Sequence, residues 1–257
     1  LRRKHREQIM ANLRLALGGR YTENELAQIG RASCLHLVMF AVEFLFTPRL
    51  ITLGTWRRYV RLKNFRTALD LMLSSRGAIL VAGHYGSWEV LGYTLACLGF
   101  DVVTVYRPLD NPYLNRYLTE TRARKGLRLL SKKGAAEGID EVLKDGSALA
   151  FIADQDAGRK GVFVEFFGTK ASTYKSIALV AHQYQLPIIV GCARRTSWTR
   201  FEYELDVEEI IRPEDWRNHE NEVVYITRRF NQAIERMVLA DPRQYLWLHR
   251  RWKTRPK

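Results

Sequence analysis

The sequence predicts an α/β protein with a mixed central sheet flanked by helices and an N-terminal helical subdomain. Up to residue 75, apolar residues recur every three or four positions, which is the helical period. From Ala78 onward, short apolar runs alternate with longer amphipathic segments, as in a buried sheet with helices on both faces. The chain has 257 residues, of which 47% are hydrophobic and 26% are charged, so it can bury a sizeable core.

The N-terminal part, residues 1–75, is predicted to contain successive helices. Gly18 and Gly19 separate the first two, because glycine disfavours the helix interior. Thr22 and Glu25 have the spacing of a capping box, which marks the start of the second helix. We assign the remaining residues, 76–257, to the α/β core and expect one continuous domain.

The core is predicted to alternate strands with helices. The strands are 78–82, 101–106, 147–152, 187–193 and 201–207. The helices are 87–98, 111–124, 135–144, 172–184 and 220–239. Apart from 201–207, these strands are largely apolar runs, as expected of strands that are buried on both faces of a sheet.

Two N-terminal segments bear on contact with membranes. The segment 49–66 interleaves cations with apolar and aromatic residues, which is typical of an interfacial amphipathic helix but also of a solvated helix face over a core stripe. The segment 35–46 is apolar but short and contains His36 and Glu43, so we expect a buried or interfacial helix there. We expect no transmembrane helix, because no uninterrupted apolar span reaches about 18 residues.

Charge and cysteine content limit the possible partners and the compartment. The formal net charge is +14, and such a surface attracts nucleic acid, anionic lipid head groups, phosphorylated sugars or an acidic carrier protein. The net charge alone does not distinguish among these four classes of partner. The three cysteines, Cys34, Cys97 and Cys192, lie far apart and are expected to be free thiols in a reducing compartment.

The strongest candidate for chemistry is a histidine that follows the strand 78–82. His84 lies five residues before Glu89, a rotation of about 500° on a regular helix, so the two side chains meet only if the chain turns between them. Gly83 and Gly86 permit such a turn, and Ser87 is a good N-cap for a helix that carries Glu89 in its first turn. A carboxylate that orients an imidazole makes a general base able to deprotonate a hydroxyl.

The run from Gly83 to Glu89 (GHYGSWE) resembles the His-x4-acid motif of the glycerolipid acyltransferases. In its Glu form it is similar to the bacterial lipid A late acyltransferases, the lauroyl and myristoyl transferases. Further stretches match in order, at 11–16 (ANLRLA), 105–112 (VYRPLDNP), 154–156 (DQD), 161–168 (GVFVEFFG) and 244–256 (QYLWLHRRWKTRP). The resemblance covers essentially the whole chain. One departure is Glu165, where the family often has proline, and this should alter a loop.

The resemblance implies a glycerolipid acyltransferase-like fold and an O-acyltransferase activity, with His84 and Glu89 as catalytic residues. It aligns Arg122 with an arginine that matters in these enzymes, and guanidinium groups bind phosphate with paired hydrogen bonds. It also places Asp154, at the end of the strand 147–152, in the active region. The substrate-binding residues that we predict are Arg107, Arg122, Asp154, Arg250 and Arg251.

An acyl-chain wall is predicted from three phenylalanines, Phe163, Phe166 and Phe167, which lie between Gly161 and Gly168. Core packing would explain the same residues. The sequence has no Walker loop, no His-Glu-x-x-His, no Gly-x-Ser-x-Gly and no Gly-x-Gly-x-x-Gly motif, which favours direct transfer without an acyl-enzyme or a nucleotide. We expect no metal and no cofactor, because a thiol leaves readily from a thioester.

The implied reaction moves a fatty acyl chain from an acyl carrier protein or CoA thioester to a hydroxyl of a phosphorylated glycolipid, most plausibly a lipid A precursor. A lysophospholipid or a mannosyl lipid is an alternative acceptor. The other partner is an anionic membrane surface, with no nucleic acid. The resemblance implies the cytoplasmic face of a bacterial inner membrane, with the N-terminal part close to it, and an anchor upstream of Leu1 is expected.

Two other function classes stay open from the sequence. One is a metal-dependent phosphoesterase in which His84, Asp154 and Asp156 hold Mg²⁺ or Mn²⁺, since closely spaced carboxylates suit these ions. The second is a basic protein that binds nucleic acid without catalysis, with an affinity that falls steeply with salt.

Overall fold

The computed structural model describes residues 2–74, 77–106, 108–131 and 135–256. The helices are α1 (Arg3–Leu17), α2 (Glu23–Leu50), α3 (Arg66–Leu73), α4 (Trp88–Cys97), α5 (Pro112–Arg124), α6 (Ala135–Lys144), α7 (Ser176–Tyr184), α8 (Pro213–Trp216) and α9 (Glu222–Ala240). The strands are β1 (Val60–Lys63), β2 (Ala78–Ala82), β3 (Val102–Tyr106), β4 (Leu127–Ser131), β5 (Ala148–Ile152), β6 (Val162–Phe166), β7 (Thr169–Thr173), β8 (Ile188–Arg195) and β9 (Tyr203–Ile211).

Within these residues, seven strands form one mixed sheet in the order β1-β9-β8-β2-β5-β3-β4. The five strands from β8 to β4 run parallel, β9 is antiparallel to β8, and β1 runs parallel to β9. The carboxyl ends of β2 and β5 therefore meet at one edge of the sheet, where α/β proteins build their sites. The predicted fold class is confirmed.

The two faces of the sheet bury different residues of the same strand. Ile79 and Val81 of β2 pack with α1, α7 and α9, whereas Ala78 and Leu80 pack with α3 and α4. Successive side chains of a strand point to opposite faces, so a run that is apolar at every position is covered on both sides. This explains why β2 is buried throughout.

Several strands were absent from the sequence-based prediction. β6 and β7 form a separate two-stranded hairpin, and its two-residue turn places both Phe167 and Gly168 at positive φ. β7 occupies the start of the segment predicted as helix 172–184, so α7 begins only at Ser176. β4 was also missed.

The prediction for the N-terminal part is confirmed at its start and wrong at its end. Thr22 and Glu25 form the expected capping box of α2. The segment 49–66 is not one amphipathic helix, because it contains a 3-10 turn and then β1. β1 pairs with β9, so the first 75 residues contribute an edge strand to the sheet.

The reason given for expecting no transmembrane helix does not hold, because one described helix is long and apolar enough to cross a membrane by length and composition alone. The expectation that no helix spans a membrane stays a prediction. α2 has 28 residues and an apolar window long enough for such a helix. The segment judged too short, 35–46, is the middle of this longer helix, which continues through Pro48 to Leu50.

Candidate active site

The register of two neighbouring strands brings His84 and Asp154 together. Ala82 of β2 pairs with Ile152 of β5, and each functional residue lies two positions beyond that pair. His84 Nδ1 lies 2.7 Å from Asp154 Oδ1, and the backbone N–H of His84 donates to Asp154 Oδ2 at 2.8 Å. The carboxylate thus fixes both the ring and the backbone of the histidine.

The environment keeps Asp154 ionised. Burial alone would raise its pKa, but the charge of His84 and the hydrogen bonds from its ring and backbone lower the pKa below the usual value. An ionised carboxylate only accepts, so the ring nitrogen facing it, Nδ1, carries a hydrogen. The neutral ring of His84 therefore keeps its lone pair on Nε2, which is the arrangement of a general base.

Two glycines allow the chain to turn between β2 and α4. A side chain at Gly83 would lie 3.0 Å from Ile234 and 3.4 Å from Asp154 Oδ2, which leaves little room. Gly86 has φ +60°, and a side chain there would collide with the carbonyl oxygen of Ala193. Ser87 then caps α4 as predicted, because its Oγ accepts from the Val90 N–H at 3.2 Å.

Glu89 does not orient His84, so that part of the prediction is wrong. Its carboxylate binds Arg122 of α5 through Nη2 and, at 3.3 Å, through Nε. Both side chains are nearly buried, with exposures of 3% for Glu89 and 12% for Arg122. The reason is rotational, because α4 begins at Trp88 and turns Glu89 toward α5. Asp154 holds His84 instead, and its own side chain is 0% exposed, so it cannot serve as the predicted substrate contact.

A second imidazole lies against His84. The ring centroids of His84 and His249 are 4.4 Å apart, and Trp88 lies edge-on to His84 at 5.0 Å. Burial, followed by the charge of His84, lowers the pKa of His249 to about 4, so this ring stays neutral at pH 7. The sequence placed His249 in a matched stretch but gave it no role.

The C-terminal segment is tied to the site by backbone hydrogen bonds. The Leu246 N–H donates to the His84 carbonyl at 3.0 Å, and Asn12 of α1 donates to the His249 carbonyl at 2.6 Å. These contacts join the two ends of the chain at the histidine and hold His249 in place.

A cavity of about 1090 Å³ borders both pairs, since His84, Glu89 and Arg122 line it. Most of its remaining lining is apolar and includes Phe40, Phe44, Phe65, Met72, Trp88, Leu91, Gly92, Leu95, Val102 and Phe151. A cavity of this size and character suits a lipid chain with a polar end at His84.

The predicted acyl-chain wall is wrong, because Phe163, Phe166 and Phe167 are not among the residues that line this cavity. Phe166 is 0% exposed and packs against Trp252 and Phe167 in the core. The hairpin β6–β7 places the rings of Phe166 and Phe167 against Trp252 and Trp247 of the C-terminal segment, so core packing explains these two residues.

The predicted substrate-binding arginines differ in their surroundings. Arg251 is 1% exposed and donates to the carbonyls of Gln155 and Ser172 and to the side chains of Thr173 and Asn231, so it is a buried structural residue. Arg250 is exposed to solvent. Arg107 lies outside the described residues.

The proposed metal ligands are not arranged as a set. Asp156 accepts from the backbone and hydroxyl of Thr254 and from the Gly158 N–H. Among the described residues, no group of three His, Cys, Asp or Glu side chains is placed to hold a metal ion. The carboxylates at 154 and 156 thus face different partners, which removes the geometric basis of the phosphoesterase alternative.

The candidate site thus consists of a buried acid, a histidine and an apolar cavity. A model of the bacterial lipid A biosynthesis acyltransferase family matches residues 1–254. The chain belongs to this family. The resemblance seen in the His-x4-Glu stretch is thereby confirmed.

Individual relatives are between 28% and 31% identical to the chain over the residues that match. The lipid A biosynthesis palmitoleoyltransferase of Escherichia coli (strain K12) is 30% identical over 204 residues, which are 78% of this chain and 63% of that protein. The lipid A biosynthesis lauroyltransferase of the same organism is 28% identical over 207 residues, or 80% and 64%. A phosphatidylinositol mannoside acyltransferase of Mycolicibacterium smegmatis is 31% identical over 120 residues, or 45% and 38%. The chain thus spans less than two thirds of the length of these relatives.

Proposed function

We propose that this protein is an O-acyltransferase that moves a fatty acyl chain from an acyl thioester to a hydroxyl of a glycolipid, a lipid A precursor. The observation that carries the proposal is the Asp154-held His84 at the edge of a large apolar cavity. Membership in the bacterial lipid A biosynthesis acyltransferase family supports the same reaction class.

In this mechanism His84 Nε2 accepts the proton of the acceptor hydroxyl while the oxygen attacks the thioester carbonyl carbon. Asp154 stays ionised and stabilises the imidazolium that forms, because its carboxylate is bonded to Nδ1. The tetrahedral intermediate then expels the thiolate as the carbon–sulfur bond breaks. His84 returns the proton to the sulfur, so an ester and a free thiol leave the site.

The start of α4 supplies donors for the oxyanion of that intermediate. Within the described part of the chain, the backbone N–H groups of Trp88 and Glu89 have no acceptor. They lie at the N-terminus of a helix, where the dipole favours negative charge. Donors aimed at a developing oxyanion account for a large share of catalysis in acyl transfer.

The Glu89–Arg122 pair serves to position the substrate. Glu89 fixes the guanidinium of Arg122 at the cavity, where it can still offer its remaining N–H groups. A phosphate of the acceptor is the group that such a guanidinium binds best. This pair therefore orients the acceptor, while the pair of His84 and Asp154 acts on its hydroxyl.

The donor is an acyl carrier protein or CoA thioester. The net charge of +14 favours an acidic carrier and an anionic membrane surface, and we place the protein at the cytoplasmic face of a bacterial inner membrane. A mannosyl lipid is the second acceptor to consider, because the Mycolicibacterium relative carries the name of a phosphatidylinositol mannoside acyltransferase.

The test is an acyl-transfer assay with purified protein, labelled carrier and CoA thioesters, and a panel of lipid A precursor, lysophospholipid and mannosyl lipid acceptors. Mass spectrometry of the lipids should show one added acyl chain in an ester, formed equally well with EDTA present. Absence of transfer from every donor to every acceptor would overturn the proposal. Activity that disappears with EDTA and returns with Mg²⁺ would favour a metal enzyme instead.

A further inference from the structure

Helix α2 carries a continuous row of exposed apolar side chains along one face. Leu35, Val38, Val42, Leu45 and Phe46 are 54%, 61%, 52%, 46% and 48% exposed. Their spacing of three or four residues places them on one side of the helix, and we call them the apolar stripe. Contiguous exposed apolar groups of this kind mark an interaction surface.

The middle of α2 is bonded to the rest of the protein on its opposite face, from Ser33 to Glu43. Ser33 Oγ donates to the Tyr245 carbonyl at 2.7 Å. His36 Nε2 lies 3.1 Å from the carbonyl of Gly86, in the turn between β2 and α4. Further along, Glu43 binds Arg195 of β8, whose side chain is 0% exposed. Ser33 and Glu43 are ten residue steps apart, which is about 15 Å along the helix.

These contacts are incompatible with α2 crossing a bilayer. If α2 left the core to span, Glu43 would enter hydrocarbon and Arg195 would lose its carboxylate partner, and both changes are unfavourable. If α2 spanned while bonded to the core, the catalytic strands would enter the membrane with it. Only the apolar stripe is free to meet lipid.

Charges and aromatic residues around the stripe match an anionic lipid surface. Arg31 and Arg49 are exposed and continue the same row, one turn before Leu35 and one turn after Leu45. α5 lies beside this end of α2, because Tyr117 OH donates to the Leu45 carbonyl at 3.2 Å. α5 adds Tyr113, which is 84% exposed, and cations and aromatics at the border of an apolar face are typical of interfacial helices.

We propose that α2 lies in the plane of an anionic phospholipid membrane, with the apolar stripe among the acyl chains and the opposite face on the catalytic core. The proposal concerns a membrane contact and does not depend on the proposed reaction. The same helix gives Phe40 and Phe44 to the cavity lining, so the lipid-facing side and the cavity lie on neighbouring sides of one helix.

Orientation can be measured with single nitroxide labels at 31, 38, 42 and 49, in a background where Cys34, Cys97 and Cys192 are replaced by alanine and folding is verified by circular dichroism. On vesicles of phosphatidylcholine and phosphatidylglycerol, labels at 38 and 42 should lie at one shallow depth. Ascorbate added outside should reduce the labels at both 31 and 49. Protection of one of these two labels would show a spanning helix and overturn the proposal, as would labels at 38 and 42 that stay in water.

The contribution of the stripe is tested by Val42→Glu, with Val42→Leu as the matched apolar control and Leu73→Glu as a charge control at an exposed leucine outside the stripe. Vesicle sedimentation should show Val42→Glu binding at least tenfold more weakly, because a charge enters the acyl layer. Both controls should bind as the wild type. Equal binding by Val42→Glu and Val42→Leu would contradict the proposal.

Discussion

Two buried carboxylates lie near the candidate site, and they are bonded to different side chains. Asp154 is bonded to His84 through the register of two parallel strands, whereas Glu89 is bonded to Arg122 between two helices. Both pairs border the apolar cavity, because His84, Glu89 and Arg122 line it. The comparison shows that closeness in the sequence does not decide which acid orients the histidine, since the acid seventy residues away does so.

The largest effect on the rate of acyl transfer is expected when the side chain of His84 is removed. His84→Ala is expected to reduce the rate of acyl transfer by about 10²–10⁴, because the general base is lost. Steady-state kinetics with a thioester donor measures this loss, and an unchanged circular dichroism spectrum confirms that the variant is folded. Near-normal turnover by the folded variant would rule out His84 as the base.

The Glu89–Arg122 pair should affect stability more than chemistry. Glu89→Ala leaves the guanidinium of Arg122 nearly buried without a partner, which is expected to lower the free energy of unfolding by about 3–5 kcal/mol. Urea denaturation measures the change. The double variant Glu89→Leu/Arg122→Met should recover much of the loss, because both charges are removed. A loss below about 1 kcal/mol would show that the pair is not desolvated.

The pair of His84 and Asp154 has a neighbour, His249, whose pKa is lowered by burial. The pKa of His249 is about 4 in the folded protein and near 6.5 when unfolded, so between these values only the unfolded chain binds the proton. The free energy of unfolding should therefore fall by about 3 kcal/mol as the pH falls from 6.5 to 4.

His249→Gln should remove most of this loss, and urea denaturation at pH 7 and pH 4.5 measures it. Buried His36, whose pKa is also lowered by burial, supplies part of the slope that remains. An identical pH dependence in the variant and the wild type would show that His249 is solvated.

The smallest expected effect is on the preference among acyl donors, after a substitution in the cavity that both pairs border. Gly92 lies one turn beyond Glu89 on α4 and lines the cavity, and a methyl group there would make only ordinary contacts, at 3.5 Å from Leu127. Gly92→Leu should therefore disfavour long acyl donors relative to short ones by about tenfold, whereas Gly92→Ala should change this ratio little. Competition between long and short donors measures the ratio, and equal losses for all donors would exclude a role in chain length.

The sequence allowed the fold class and several site residues to be predicted for identifiable reasons. β2 and α4 were found because an apolar run, two glycines and a capping serine are local signals. The pairing of His84 with Asp154 was also within reach, since each follows a predicted strand by two residues. It was missed because strand order and register are set by long-range packing, which a short motif does not reveal.

The same limit explains the misassigned aromatic and basic residues. Phe166 and Arg251 have the residue types of a lipid site, yet both are buried by the hairpin β6–β7 and the returning C-terminal segment. β1 was missed because its alternation of apolar and basic residues covers only four positions, inside a longer basic and aromatic stretch that was interpreted as a helix. Long-range pairing with β9 decides its structure.

The most direct test of the central claim is a pair of double-mutant cycles on the rate of acyl transfer, measured in single turnover. In the wild type, Asp154→Asn and Glu89→Gln are each expected to slow the reaction. In the His84→Ala background, Asp154→Asn should slow the reaction no further, because the effects of two residues that act as one unit are not additive. Glu89→Gln should slow the reaction by the same factor in the wild type and in the His84→Ala background. The reverse result, with Glu89 coupled to His84 and Asp154 independent of it, would contradict the account.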